Sequence, residues 1–203
     1  KTPIVTIEEF NESFNCDVFF KQENLQKTGS FKVRGVINAL SNLKDSNTLL
    51  NKVVSYDSGN HGLALAWASK FFGVKKVKLY LPCSVSEAKK ELARKYGAEV
   101  IITKTRAEAK KRAEKEANLH KCTLIAPSND YVITGAATVV YEALQEQQGF
   151  DGIFIPASGR SLLAGAVLTK NYISPVTGVY AGALKEVENQ HESSVLSYFE
   201  DAV

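Results

Sequence analysis

Lys32 is the residue on which chemistry is most readily placed. It stands in Gln26-Lys27-Thr28-Gly29-Ser30-Phe31-Lys32-Val33-Arg34-Gly35-Val36-Ile37, where the turn-forming Thr28-Gly29-Ser30 runs straight into a helical pattern. That puts Lys32 in the first turn of a helix. A cation there opposes the helix dipole. Its ammonium form is disfavoured, and a neutral, nucleophilic amine is easier to reach. A Schiff-base lysine needs such an amine. Spacing alone also fits an ordinary helix start with a surface lysine.

A second segment adds an anion site. Val53-Val54-Ser55-Tyr56 reads as a short buried strand, Asp57-Ser58-Gly59-Asn60-His61-Gly62 as a polar turn, and the residues from Leu63 to Phe72 as a helix. Where a strand passes through a glycine-containing turn into a helix, unpaired backbone N–H groups point outward and attract anions. Asn60 and His61 add side-chain donors, whereas Ser58 also suits any turn.

These two segments together resemble the fold-type II pyridoxal-phosphate enzymes, in the branch of the serine/threonine dehydratases and serine racemases. The matching residues are Lys21-Gln22-Glu23-Asn24-Leu25-Gln26-Lys27-Thr28-Gly29-Ser30-Phe31-Lys32-Val33-Arg34-Gly35 and Ser58-Gly59-Asn60-His61-Gly62, with looser similarity through Tyr96-Gly97-Ala98 and the stretch from Pro156 to Gly165. The resemblance implies pyridoxal 5'-phosphate held by Lys32, which then removes the substrate's α-proton. It implies Phe31 packed on one face of the cofactor and Asn60 bonded to the cofactor's phenolic oxygen. Ser58 is placed as an acid/base on the opposite face. Ser58, Gly59, Asn60 and His61 are implied for the substrate carboxylate, and Ser158, Gly159, Arg160, Ser161 and Leu162 for the phosphate. The implied activity is dehydration of a serine- or threonine-type hydroxy-amino acid to a keto acid and ammonia, with racemisation permitted, in a cytoplasmic homodimer. The rivals are a non-catalytic relative with a degenerate phosphate loop, and a different β-elimination or replacement on the same scaffold.

The chain departs from that pattern in four places. A run of glycines is expected after Pro156, but Ala157-Ser158-Gly159-Arg160-Ser161-Leu162 keeps one. Arg160 either pairs with a phosphate, which its fork suits, or fills the cradle. Asp57 stands where a small neutral residue is usual. Facing a substrate carboxylate, it adds roughly 1 to 4 kcal/mol of repulsion at intermediate dielectric, which limits activity on simple serine or threonine. Turned away, it caps the next helix. Gly135-Ala136-Ala137-Thr138 replaces a glutamine and a second glycine, and Ala183 replaces a metal-binding acid, so no racemase-type divalent metal site is expected.

The elements that must position these residues follow from the apolar pattern. Strands are expected at Val53–Tyr56, Val77–Leu81, Val100–Thr103, Thr123–Ile125, Ile153–Ile155 and Val179–Ala181. They are short and apolar, as strands buried on both faces are. Helices are expected at Asn60–Phe72, Ser86–Tyr96, Arg106–Asn118, Thr134–Gln147 and Leu162–Tyr172, with Gly73 and Gly97 as C-terminal stops. The alternation predicts α/β units and open parallel sheets, with ligands beyond the carboxyl ends of the strands. The resemblance makes these two α/β domains with a cofactor cleft between them. Residues 53–127 form the small domain. Residues 1–52 and 128–203 form the large one, which relatives complete with further chain.

Composition sets the outer bounds. A chain of 203 residues, 44% hydrophobic, can bury a core. A net charge of +3 gives no argument for nucleic acid, and the lysine-rich stretch 104–121 carries interspersed glutamates, so it reads as a solvated amphipathic helix. No apolar run is long enough for a bilayer, and no signal-peptide pattern opens the chain, so no membrane partner is expected. Three scattered cysteines fit a reducing compartment, and three distant histidines argue against zinc.

Overall fold

In the computed structural model the described residues are 1–45, 51–57, 59–120, 122–156 and 159–182. The chain opens with β1 (Ile4–Thr6), α1 (Glu8–Phe14) and β2 (Phe19–Lys21), and β1 and β2 pair antiparallel. This pair was not anticipated from the sequence, because three-residue strands are too short to show a period. A short 3-10 turn leads to α2 (Lys32–Asp45).

The middle of the chain runs β3 (Lys52–Tyr56), α3 (Asn60–Ser69), β4 (Lys76–Pro82), α4 (Glu87–Lys95), β5 (Ala98–Thr103), α5 (Arg106–His120) and β6 (Thr123–Leu124). Its four strands form one parallel sheet in the order β5-β4-β3-β6. Then come α6 (Asp130–Glu146), β7 (Gly152–Pro156), α7 (Ser161–Ile173) and β8 (Gly178–Gly182), with β7 and β8 parallel.

The expected strands all appear, within a residue or two. Among the helices, α3 stops at Ser69 rather than Phe72, and the chain turns through Gly73 at φ +72°. Helix α6 starts four residues before the expected Thr134, because Asn129 caps it by accepting the Tyr131 N–H at 2.9 Å.

The sheet is buried on both faces, which is why β3 buries four successive residues, Val53 to Tyr56, rather than alternating with exposed ones. On one face Val36, Leu40, Leu65, Leu79, Leu81 and Ile125 pack with almost no exposure. Each such side chain contributes about 1.5–3 kcal/mol by leaving water. Helix α3 is buried nearly all round, as an apolar helix without a polar face must be. On the other face α5 buries little more than Ala109 and Ala113. Its Glu116 ties it to the sheet through Lys52 at 2.6 Å and Lys78 at 3.0 Å. A separate apolar cluster joins α6, α7 and β7 through Val139, Val140, Leu144, Ile155, Leu162 and Val167.

Small residues let the helices that flank the site approach closely. A Cβ on Gly135 would lie 2.6 Å from the Arg34 carbonyl oxygen and 2.6 Å from the Gly35 Cα. Helices α2 and α6 therefore cross backbone to backbone. Helix α7 meets α6 in the same way, since a Cβ on Gly165 would lie 2.7 Å from the Ala137 nitrogen.

Candidate active site

Lys32 opens α2 with its side chain buried, 9% exposed. Its Nζ donates a hydrogen bond to Ser161 Oγ at 2.9 Å, across to the start of α7. The α2–α6–α7 crossings make that reach possible: Lys32 and Ser161 sit at the ends of helices whose spacing the glycines fix. Nζ also lies 4.8 Å from the centre of the Phe31 ring, which packs on the α6–α7 cluster. Gly159 adjoins the amine so closely that a Cβ there would come within 3.2 Å of Nζ.

Burial pushes the Lys32 amine below its ordinary value, the negative charge of Asp57 opposes that shift, and the positive charge of Arg106 adds to it. The expected direction is therefore present. Its main cause is desolvation rather than the helix dipole.

The turn between β3 and α3 decides between the two readings of Asp57 and departs from the expectation at His61. Asp57 caps α3. Its Oδ2 accepts the N–H groups of Gly59 at 2.8 Å, His61 at 2.6 Å and Gly62 at 3.4 Å. The carboxylate is thus held by the backbone and is 3% exposed. His61, expected as a donor to a substrate, is fully buried, and its Nε2 bonds the Ile125 carbonyl at 2.9 Å. A carbonyl accepts, so Nε2 carries the proton. Nδ1 is then an acceptor, buried and without a partner. Burial lowers the His61 pKa and keeps the ring neutral, with Asp57 opposing and Lys32 reinforcing.

His61 therefore offers a substrate neither its ring nor its N–H. Asn60, the first residue of α3, is half-buried, and its side chain makes no hydrogen bond to another described residue. Gly59 sits at φ +127°, where a side chain would be strained and would meet the Lys89 Cδ at 2.9 Å. Ser58 lies outside the described residues.

The third segment is described from Gly159 onward; Ser158 and Ala157 lie outside the described residues, as does Ala183. Arg160 precedes α7 in the left-handed region, at φ 57°, ψ −20°. That conformation costs a non-glycine residue about 1–2 kcal/mol, so a backbone position that favours glycine is held here by an arginine. Ser161 uses its hydroxyl on Lys32 rather than holding it open. The Leu162 side chain belongs to the core at 7% exposure, so its contribution to an anion site is confined to its N–H. The first turn of α7 leaves N–H groups without intrahelical acceptors.

Two residues behind Lys32, Arg34 locks the opening segment to α2 and α6. Its guanidinium meets Glu23 at 2.8 Å and Glu142 at 2.7 Å, and Lys21 meets the same Glu142 at 2.9 Å. Hydrogen bonds from Arg34 hold the Glu142 carboxyl down at about 2 against an ordinary 4.5. A carboxylate whose folded value is depressed stabilises the fold fully above its unfolded value and loses that contribution as pH falls toward the folded one. Stability is expected to decline between pH 4.5 and about 2. In Glu142→Gln the acid limb of a thermal-midpoint profile should flatten, at a lower plateau near neutrality.

The buried amine, the ring beside it, the missing Cβ at Gly159 and the helix start behind it fit a planar aldehyde cofactor with an anionic arm. Phe31, Lys32, Asn60, Gly159, Arg160, Ser161 and the Leu162 N–H are the described residues able to hold one. Sequence reasoning named these residues and kept capping as one reading of Asp57, but it missed the burial of His61 and the charge of Arg106 acting on Lys32. An aspartate just before a helix is a capping signal. Nothing in the sequence marked Arg106.

Residues 1–194 match the pyridoxal-phosphate dependent enzyme family. The chain is 40% identical over 185 residues to a serine racemase of Dictyostelium discoideum, covering 89% of this chain and 56% of that one. It is 32% identical over 202 residues to a beta-hydroxyaspartate dehydratase of Paracoccus denitrificans, covering 98% and 63%. The crystal structure of a pyridoxal 5'-phosphate-dependent aspartate racemase superposes with a TM-score of 0.84 at 35% identity, covering 89% of this chain and 56% of that one. The chain thus spans a little over half the length of these relatives. With the family matched over residues 1–194, the chain belongs to the pyridoxal-phosphate dependent enzymes.

Proposed function

We propose that this chain carries the lysine-bearing part of a pyridoxal-phosphate-dependent ammonia-lyase acting on a serine- or threonine-type hydroxy-amino acid, with dehydration favoured over racemisation. The observation that carries this reading is the buried Lys32 amine, kept below its ordinary pKa and held toward Ser161 Oγ at 2.9 Å. When bound, the cofactor withdraws electrons from the substrate's α-carbon. The protein does the rest. Lys32 Nζ, whose charged form burial disfavours, takes the α-proton. Ser161 Oγ orients the amine, and Phe31 fixes the plane in which the reacting carbon lies. Asn60 offers its amide to the cofactor's ring oxygen, and the start of α7 offers N–H groups to its phosphate.

Residues 53–127 are read as a small domain forming one wall, and residues 1–52 with 128–203 as the other. Ser58 keeps its proposed role on the opposite face. A homodimer and a cytoplasmic setting belong to the same reading; among the described residues no helix is long and apolar enough to cross a membrane.

Keto acid and ammonia release from D- and L-serine, L-threonine and hydroxyaspartate tests the activity. Equimolar ammonia and keto acid from at least one of them is the expected result. Cofactor binding without product from any of them would overturn the lyase reading.

A further inference from the structure

Among the described residues Lys32 Nζ makes a single hydrogen bond, to Ser161 Oγ at 2.9 Å. The Phe31 ring flanks the amine at 4.8 Å, and Gly159 adjoins it without a side chain. Ser161 is itself fixed. It is 1% exposed, opens α7, and donates its N–H to the Gly159 carbonyl at 2.7 Å. That carbonyl is thereby engaged. A run of glycines is expected over this stretch, so a hydroxyl on the lysine is a feature of this chain's own sequence. An amine that takes a proton here becomes a buried ammonium, which is unfavourable without a partner. A hydroxyl acceptor offsets part of that, because hydrogen bonds from a charged donor are roughly twice as strong as neutral ones.

We propose that Ser161 is a positioning residue for proton transfer: its hydroxyl accepts from Nζ, holds the amine at the start of α7, and stabilises the ammonium that Lys32 becomes on taking a proton. Ser161 touches neither the reacting carbon nor the proton in flight; it acts through Lys32. The charged groups that also act on Nζ are Asp57 after β3 and Arg106 at the start of α5, and the His61 ring on α3 feels Lys32 in turn. They set the background against which the hydroxyl works. The part played in the reaction rests on the site proposed above, whereas the effect on the amine does not.

The experiment uses the cofactor-free chain, unmodified and as Ser161→Ala, Ser161→Gly and Ser161→Thr. Acetic anhydride acylates an amine only in its neutral form. The rate at Lys32 is followed against pH by mass spectrometry of its peptide and normalised to the exposed Lys75. Loss of the hydroxyl in the alanine and glycine variants should lower the pH of half-reactivity by about one unit, a tenfold loss of proton affinity. Ser161→Thr keeps the hydroxyl and should stay near the unmodified value. A half-reactivity point that stays or rises in the alanine and glycine variants, or that falls as far in the threonine variant, would overturn the role. Failure to take up the cofactor or to form product would count against the proposed function instead, since this titration needs neither.

Discussion

Lys32→Ala is expected to abolish stable attachment of pyridoxal 5'-phosphate and to lower any turnover by about 10³-fold or more, because in the proposed mechanism one side chain supplies both the nucleophile and the proton acceptor. The visible absorption of the bound cofactor should disappear, and borohydride should no longer fix it to the protein. The same variant should not lower the thermal midpoint of the cofactor-free chain. Lys32 is buried and its ammonium is disfavoured, so the lysine opposes folding near neutrality.

The sign follows from proton counting. With the folded value below 10.5, the unfolded chain binds more protons there, so stability rises with pH up to about 10.5. The alanine variant should lack that rise. A visible band that survives Lys32→Ala with unchanged intensity would remove Lys32 from its role. A large fall in the cofactor-free midpoint would make it a structural residue.

Gly135→Ala should be among the most damaging single-methyl changes in the fold. The new Cβ would sit 2.6 Å from the Arg34 carbonyl oxygen and 2.8 Å from the Asn38 Cβ. Two of its neighbours are backbone atoms of α2, which cannot rotate away, so the helices must separate. Overpacking of this kind costs about 3 kcal/mol, at the upper end of its usual range. For a chain of this length that lowers the thermal midpoint by roughly 6–12 °C.

The effect should also reach the site. Lys32 begins α2, Ser161 begins α7, and both helices rest on α6, so a displaced α2 moves the amine off Ser161 Oγ. Cofactor affinity is therefore expected to fall together with stability. Ala136→Gly, one position along the same helix, should lose only about 1 kcal/mol of helix propensity and leave cofactor affinity as it was. Equal effects of the two changes would refute the crossing argument.

The sequence by itself determined the alternation of strands and helices from residue 53 onward, because apolar runs bounded by glycine and polar turns carry that information locally. It also determined that Lys32 opens a helix and that Asp57 to Gly62 forms a turn before another, since these are capping and turn signals read within a few residues. The two readings of Asp57 stayed open in the sequence because both use the same local pattern; only the three N–H contacts, set by the path of the backbone into α3, made it a cap. His61 looked like a site donor because it neighbours Asn60. In the fold, successive residues of a helix point about 100° apart, so one ring faces the core and bonds Ile125 while its neighbour does not.

Arg160 shows the same division. The sequence around it suggested a broken glycine loop, whereas the tertiary structure places Arg160 itself in the left-handed conformation that glycine favours. The short β1–β2 pair, the Arg34–Glu142 lock 108 residues apart and the Lys32–Ser161 bond 129 residues apart depend on how helices cross. That crossing is settled by where a backbone can approach another backbone, at Gly35, Gly135 and Gly165, and no local periodicity records it.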